Sequence, residues 1–326
     1  MKIYLTFDYE LFFGDHPGSV EKCMLEPTRD LFELAEGKDV HYTFFVDVGY
    51  LIASSRYAEL ENERTHVEEQ IKEMIDRGHD VQLHIHPHWQ KAEYVNGSWE
   101  MNTKGAYKIS DFTQAEIDEI FGSYKNYLEA LIGRKVCAFR AGGWCIQPFE
   151  VFKEVFEKYD LKIDSSVIPG DFMLTDEYAL DFRFAPEKDS YRFSYDVCSE
   201  DAEGPFTELT IASMRYSPLF FWQLYILGRL FPDRHKMIGD GRFLDQGGRK
   251  KRKLNNYTVN HISTDGYFAK KLKAGLDKMI NMGMQHMVVI GHPKGNTNYS
   301  IEKLNDFISS EHTNHQFTTF HKEFCE

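Results

Sequence analysis

Residues Thr65 to Trp89 read THVEEQIKEMIDRGHDVQLHIHPHW, and the order of signals within them decides the fold class. Val67, Ile71, Met74 and Ile75 recur at intervals of three and four residues, which places them on one face of a helix. Thr65-x-x-Glu68 has the form of a capping box and Gly78 supplies a stop, so the spacing predicts a helix over Thr65–Arg77. Asp80–Leu83 then reads as a short strand, and His79, His84, His86 and His88 crowd around it. Helix, glycine, strand and polar cluster is the unit of a parallel α/β sheet or barrel, in which the carboxyl ends of the strands carry the site.

The same unit recurs on both sides. Downstream, Thr113–Ile132 carries the box Thr113-x-x-Glu116, the stripe Ile117, Phe121, Tyr124, Leu128 and Leu131, and a terminal Gly133, and leads to a strand at Val136–Phe139. A helix at Phe149–Tyr159 leads to a strand at Leu161–Ile163, and one at Asp265–Met282 to the apolar strand His286–Ile290. Upstream, strands at Lys2–Phe7 and Tyr42–Val48 flank a helix near Thr28–Ala35. Residues 187–264 keep no such rhythm and are expected to be strands, loops and one helix elaborating the same domain. With no repeat, low-complexity tract or linker, residues 1–326 are expected to form a single domain.

Composition removes several function classes. The chain has 326 residues and is 42% apolar, ample for a large core. Lys and Arg number 38 against 51 Asp and Glu, and the resulting net charge of -13 works against nucleic acid as a partner. The five cysteines, Cys23, Cys137, Cys145, Cys198 and Cys325, are odd in number without a C-x-x-C pair and read as reduced thiols. Charge arrives at once after Met1, so no signal peptide is expected and the location reads as cytoplasmic. Pro218–Phe231 is the longest apolar stretch, yet its 14 residues include Gln223 and Arg229 and fall short of the roughly 20 that span a bilayer. It reads first as a core helix. Phe220, Phe221, Trp222 and Leu224 exceed what one stripe needs, which leaves a peripheral membrane contact as the second reading. The run Arg249–Lys253 reads as a solvated loop, with a diphosphate contact as its alternative.

Five polar clusters close the strands. Asp8 and Glu10 lie on one face if Thr6–Glu10 stays extended, since side chains in a strand alternate. The histidine cluster suits a divalent ion, and Pro87 requires that any His84/His88 pairing be made by a turn. Arg140-Ala141-Gly142-Gly143-Trp144, Asp164-Ser165-Ser166 and Gly291-His292-Pro293-Lys294 complete the series. Singly, an acid pair or a lone Arg, Asp or His is more often a capping group or ion pair than a catalyst.

In order, the five clusters resemble the motifs of the polysaccharide deacetylases, the NodB-homology or family 4 carbohydrate esterases, across residues 6 to 294. Thr207–Thr210 resembles a late strand of that family. The resemblance implies a distorted (β/α) barrel of about seven mostly parallel strands. It also implies a metal-dependent hydrolase that removes an N-acyl group, in the first place N-acetyl, from a carbohydrate in polysaccharide or glycoconjugate biosynthesis. Tyr9 stands where the family has a metal-binding Asp, and Glu10 is the expected replacement, joining His84 and His88 around one ion. Zinc is expected, with cobalt, nickel or manganese as alternatives. The implied roles are Asp8 as base, Arg140 holding Asp8, Asp164 orienting His292, and His292 as acid. Tyr9, His86, Trp89 and Trp144 are candidates to face the substrate. Two other functions fit the same residues: a deformylase or amidohydrolase on a lipid-linked or non-carbohydrate amide, and a metal-free carbohydrate-binding protein.

Overall fold

The structure, a computed structural model, describes residues 1–244 and 248–325. Seven parallel strands wrap into a nearly closed barrel in chain order: β1 Lys2–Tyr9, β2 Tyr42–Asp47, β3 Asp80–Ile85, β4 Ala138–Ala141, β5 Ile163–Asp164, β6 Phe206–Leu209 and β7 His286–Gly291. Strand β7 pairs with β1. Between β6 and β7 the wall is closed, among the described residues, by single bridges, Ile211 to Val288 and Ser263 to Ile290. Ser190–Phe193 adds an antiparallel edge to β6, and Gln316–Phe317 pairs with the start of β1. The expected distorted (β/α) barrel is thus present.

Helices α1 Glu26–Ala35, α2 Glu61–Asp76, α3 Gln114–Ile132, α4 Glu150–Lys158, α5 Leu272–Asn281 and α6 Asn298–Glu311 cover the outside of the barrel. Helix α3 begins as the sequence predicts: Thr113 accepts from the Glu116 amide, Glu116 returns a bond to Thr113, and Gly133 closes it at a left-handed φ of 69°. Helix α2 does not. It starts a turn early, at Glu61, so Thr65 lies inside it and its hydroxyl donates back to the Glu61 carbonyl. Glu61 and Glu63 in the first turn favour the earlier start by compensating the helix dipole.

The least readable stretch supplies strand β6, an antiparallel strand pair at Ser213–Tyr216 and Thr258–His261, and, in place of the one helix expected, helices at Pro218–Leu230, Pro232–His235 and Arg249–Asn255. Residues 245–247 of that stretch lie outside the described residues. The expectation of five free thiols is corrected: Cys137, just before β4, and Cys325 are joined as a disulfide with Cα atoms 5.7 Å apart. Cys23, Cys145 and Cys198 are free. Among the described residues no helix is long and apolar enough to cross a membrane.

Candidate active site

The interior of this barrel is polar, and its organiser is Arg140 on β4, which is fully buried. Its guanidinium donates to Asp8 Oδ1 at 2.6 Å, Thr6 Oγ1 at 3.0 Å and the Ser165 carbonyl at 2.8 Å, and lies 4.0 Å above the Phe45 ring. An arginine with these partners is a strut across the barrel as well as a counter-charge, which is why it can be buried at all. Asp8 Oδ2 is left facing the pocket, 3.6 Å from His292 Nε2 and 4.0 Å from His84 Nε2.

Two residues on, the alternation of β1 puts Glu10 on the same side. Glu10 Oε2 meets His84 Nε2 at 2.9 Å and His86 Nε2 at 2.8 Å, while Oε1 accepts from Lys294 Nζ at 2.8 Å. Burial acts to raise the Glu10 pKa, but Lys294 and the two imidazoles outweigh it and hold the carboxyl well below the usual range. His84 Nδ1 faces the Arg140 carbonyl at 2.8 Å, so that nitrogen carries a proton. Nε2 then turns to Glu10 either as an imidazolium donor or as a bare lone pair awaiting a cation. Burial opposes the charged form of His84, yet Asp8 and Glu10 push its pKa up to about 9. Glu10, His84 and His86 are the group whose ligand atoms all lie within 4.8 Å of one another.

The placement of these side chains differs from the expectation in one position. His88 was expected beside His84; His86 stands there instead. β3 runs to Ile85 and His86 is still extended, so residues 84 and 86 share a face. The turn Pro87–Gln90 then carries His88 out of the group, between Trp89 and a parallel Tyr107 ring, where burial holds its pKa well below normal. The glycines after Arg140 follow from the same fact. A Cβ on Gly142 would sit 2.7 Å from His86 Nδ1 and 2.6 Å from the Ile85 carbonyl, so the His86 ring requires glycine there. Gly143, at φ +59°, keeps clear of Tyr107 and Tyr178 in the same way.

His292, at the end of β7, faces the pocket, but Asp164 does not reach it. Asp265 does, accepting from His292 Nδ1 and from the His292 amide at 2.7 Å each. Burial disfavours the imidazolium, but Asp265, then Asp8 and Glu10, raise the His292 pKa above its ordinary value. Asp164 instead accepts from Ser166 Oγ at 2.8 Å and lies against Glu208, its register partner on β6. Burial, and then the neighbouring Asp164, push the Glu208 pKa well above the usual carboxylate range.

The cleft over these groups is lined by Phe12, Phe13, Tyr107, Trp144, Tyr178 and Phe243, and by the buried Lys294. Trp144, a candidate to face the substrate, lines this cleft. Tyr9 and Trp89 do not face substrate: both are buried, Tyr9 donating to Gln70 Oε1 at 2.8 Å and Trp89 Nε1 to Asp47 Oδ2 at 2.6 Å. Sequence reasoning missed Lys294, Asp265 and Asp47. Lys294 directly follows His292-Pro293 and was within the quoted cluster.

No family model and no curated protein matches the sequence. Solved structures do resemble it. A Mycobacterium smegmatis protein assigned as a polysaccharide deacetylase is similar at a TM-score of 0.52 and 15% identity, covering 98% of this chain and 87% of that one. A Pseudomonas aeruginosa PAO1 protein with the same assignment gives 0.51 at 13% identity, covering 99% and 91%. Puue allantoinase gives 0.51 at 12% identity, covering 100% and 91%. At these identities the likeness is one of fold, and the fold is that of the polysaccharide deacetylases.

Proposed function

We propose that this chain is a metal-dependent hydrolase of the polysaccharide deacetylase type, removing an N-acyl group, in the first place N-acetyl, from a carbohydrate in glycoconjugate synthesis. The observation that carries the reading is the meeting of His84 Nε2, His86 Nε2 and Glu10 Oε2 between an arginine-held carboxylate and an aspartate-held imidazole. Two imidazoles and one carboxylate are a donor set of catalytic zinc. The carbonyl behind His84 is the kind of outer partner that fixes a ligand's tautomer. Glu10, His84 and His86 would hold zinc, with cobalt, nickel or manganese as alternatives. When bound, the ion supplies a water acidified to near neutrality and polarisation of the acyl oxygen.

The remaining chemistry belongs to the chain. Asp8, aimed by its bond from Arg140, has Oδ2 turned to the pocket to take a proton from the attacking water. An amine leaves badly unless protonated, and His292 Nε2 stands 3.6 Å from that oxygen, with Asp265 behind it to favour the imidazolium. Trp144, half-buried on the cleft wall, offers a flat apolar face for a sugar ring. The likeness to two proteins assigned as deacetylases supports a carbohydrate substrate. The equal likeness to an allantoinase supports a second reading, the same machinery acting on a non-carbohydrate amide.

The test is metal analysis of the purified protein together with acetate and formate release from N-acylated amino sugars, with allantoin as the competing substrate. Acetate release that is lost with the metal in His84→Ala and His86→Ala supports the reading. Ion binding untouched by both substitutions, or bound metal with turnover only of allantoin, overturns the ligand set or the substrate class respectively.

A further inference from the structure

The helix Pro218–Leu230 has two faces of opposite fate. Phe220 and Phe221 turn inward and pack with Tyr216, Tyr267 and Tyr299 in a small cluster separate from the barrel core. Leu219, Trp222, Ile226 and Leu230 turn outward at helical spacing and are 65%, 50%, 46% and 66% exposed, and Phe231 continues the stripe at 56%. The inner cluster anchors the helix, so this exposed stripe is a property of a well-seated element. Contiguous exposed apolar residues of this size mark a contact surface.

The charge around the stripe is as unusual as its hydrophobicity. In a chain of net charge -13, residues 211–258 hold ten Lys and Arg against three Asp and Glu. The basic helix Arg249–Asn255 lies alongside: Trp222 Nε1 donates to the Leu254 carbonyl at 3.1 Å, and Lys250 Nζ sits 4.5 Å over the Tyr225 ring. Arg229, Lys236, Lys250 and Lys251 are exposed. No acidic residue occurs between Glu208 and Asp233.

We infer that this face is a docking surface for an anionic phospholipid bilayer, the stripe entering the headgroup boundary and the flanking lysines and arginines meeting lipid charge. Charge complementarity selects that occupant. In a chain of net charge -13, a bilayer of negative surface potential is drawn to this basic stretch, which would orient the molecule. The chemistry is that of interfacial helices, an apolar face bordered by basic residues. Phe243, 51% exposed on the rim of the active-site cleft, comes from the same stretch of chain. The inference stands apart from the hydrolase reading, because its test requires no turnover.

The experiment is co-flotation of the full chain with vesicles of phosphatidylcholine alone or mixed with phosphatidylserine, alongside Trp fluorescence and the oligomeric state in solution. Binding at least tenfold stronger to the phosphatidylserine vesicles, weakened by salt and accompanied by a blue shift that Trp222→Phe removes, is expected. Leu219→Glu with Ile226→Glu and Leu230→Glu should abolish binding. Lys236→Glu with Lys251→Glu, both side chains exposed, should reduce it several-fold at low salt without changing the melting temperature. Equal or absent binding to the two vesicle types overturns the inference. So does a dimer that the triple variant converts to a monomer, which would make the stripe a self-interface.

Discussion

Replacing Asp265 by Asn is the sharpest probe of the acid. The Asp265 carboxylate accepts two donors at once, the His292 amide and His292 Nδ1, each at 2.7 Å. Asparagine keeps the shape but has one acceptor oxygen, so it can serve only one of them, and its NH2 must face the other. One charge-assisted bond is lost outright, and such bonds contribute about 1.5–3 kcal/mol. At roughly 1.4 kcal/mol per factor of ten, this predicts a fall in kcat/KM on an N-acyl substrate of about 10- to 100-fold. The loss should be smaller than that of His292→Ala, since complete removal of a general acid is typically worth about 10²- to 10⁴-fold. The sign of the pH effect follows from Asp265 favouring the charged imidazole and so raising the His292 pKa against its burial. Without Asp265 the proton is lost at lower pH, and the alkaline limb of the kcat/KM profile moves to lower pH. An activated ester, whose leaving group departs unprotonated, should lose less than the amide. The assay is the kcat/KM profile of both variants on amide and ester. An Asp265→Asn enzyme with wild-type rate and an unmoved alkaline limb, or an Asp164→Asn enzyme that reproduces the shift, would falsify the assignment.

Further outcomes are expected at neighbouring positions. Gly142→Ala places a methyl 2.7 Å from His86 Nδ1 and 2.6 Å from the Ile85 carbonyl, so metal content should fall with the fold intact by circular dichroism; full metal occupancy would remove His86 from the ligand set. Lys294→Met leaves the buried Glu10 without its ammonium partner and should destabilise the metal-free protein by about 3–5 kcal/mol, read from denaturant unfolding. A change below about 1 kcal/mol there would show that the imidazoles alone neutralise Glu10. Glu208, kept neutral in the fold by burial and Asp164, should lower stability as pH rises above about 4.5, because the unfolded acid ionises there and the folded one does not. Glu208→Gln should flatten that slope and melt no lower than wild type at pH 7, and an unchanged slope would mean that Glu208 holds no proton.

Most of the barrel was legible because its strands are apolar runs with a turn residue before them, and six of the seven were located within two or three residues. The seventh, β6 at Phe206–Leu209, was reached only through the family resemblance of Thr207–Thr210, being a four-residue run that carries Glu208 inward. So short a run with a buried acid has no hydrophobic periodicity to read. The misplaced start of α2 has a related cause. A threonine three residues before a glutamate is a capping box only if the chain is extended ahead of it, and Glu61–Arg64 are helical instead.

The site divides along the same line between local and tertiary information. Asp8, Glu10, His84, Arg140 and His292 were readable because each ends a strand, and a parallel barrel gathers strand ends. His86 was equally local: the alternation that paired Asp8 with Glu10 pairs His84 with His86, and it holds to the point where Pro87 starts the turn. Asp265 carried no such signal. It lies two residues beyond Ser263, whose single bridge to Ile290 brings that loop beside β7, and before a short 3-10 turn that in sequence merges with the following helix. A contact made by one bridge between segments 27 residues apart is fixed by how the barrel closes. The residue that orients the proposed acid is therefore set by the least regular seam of the fold, which is where a motif-by-motif reading assigned Asp164 instead.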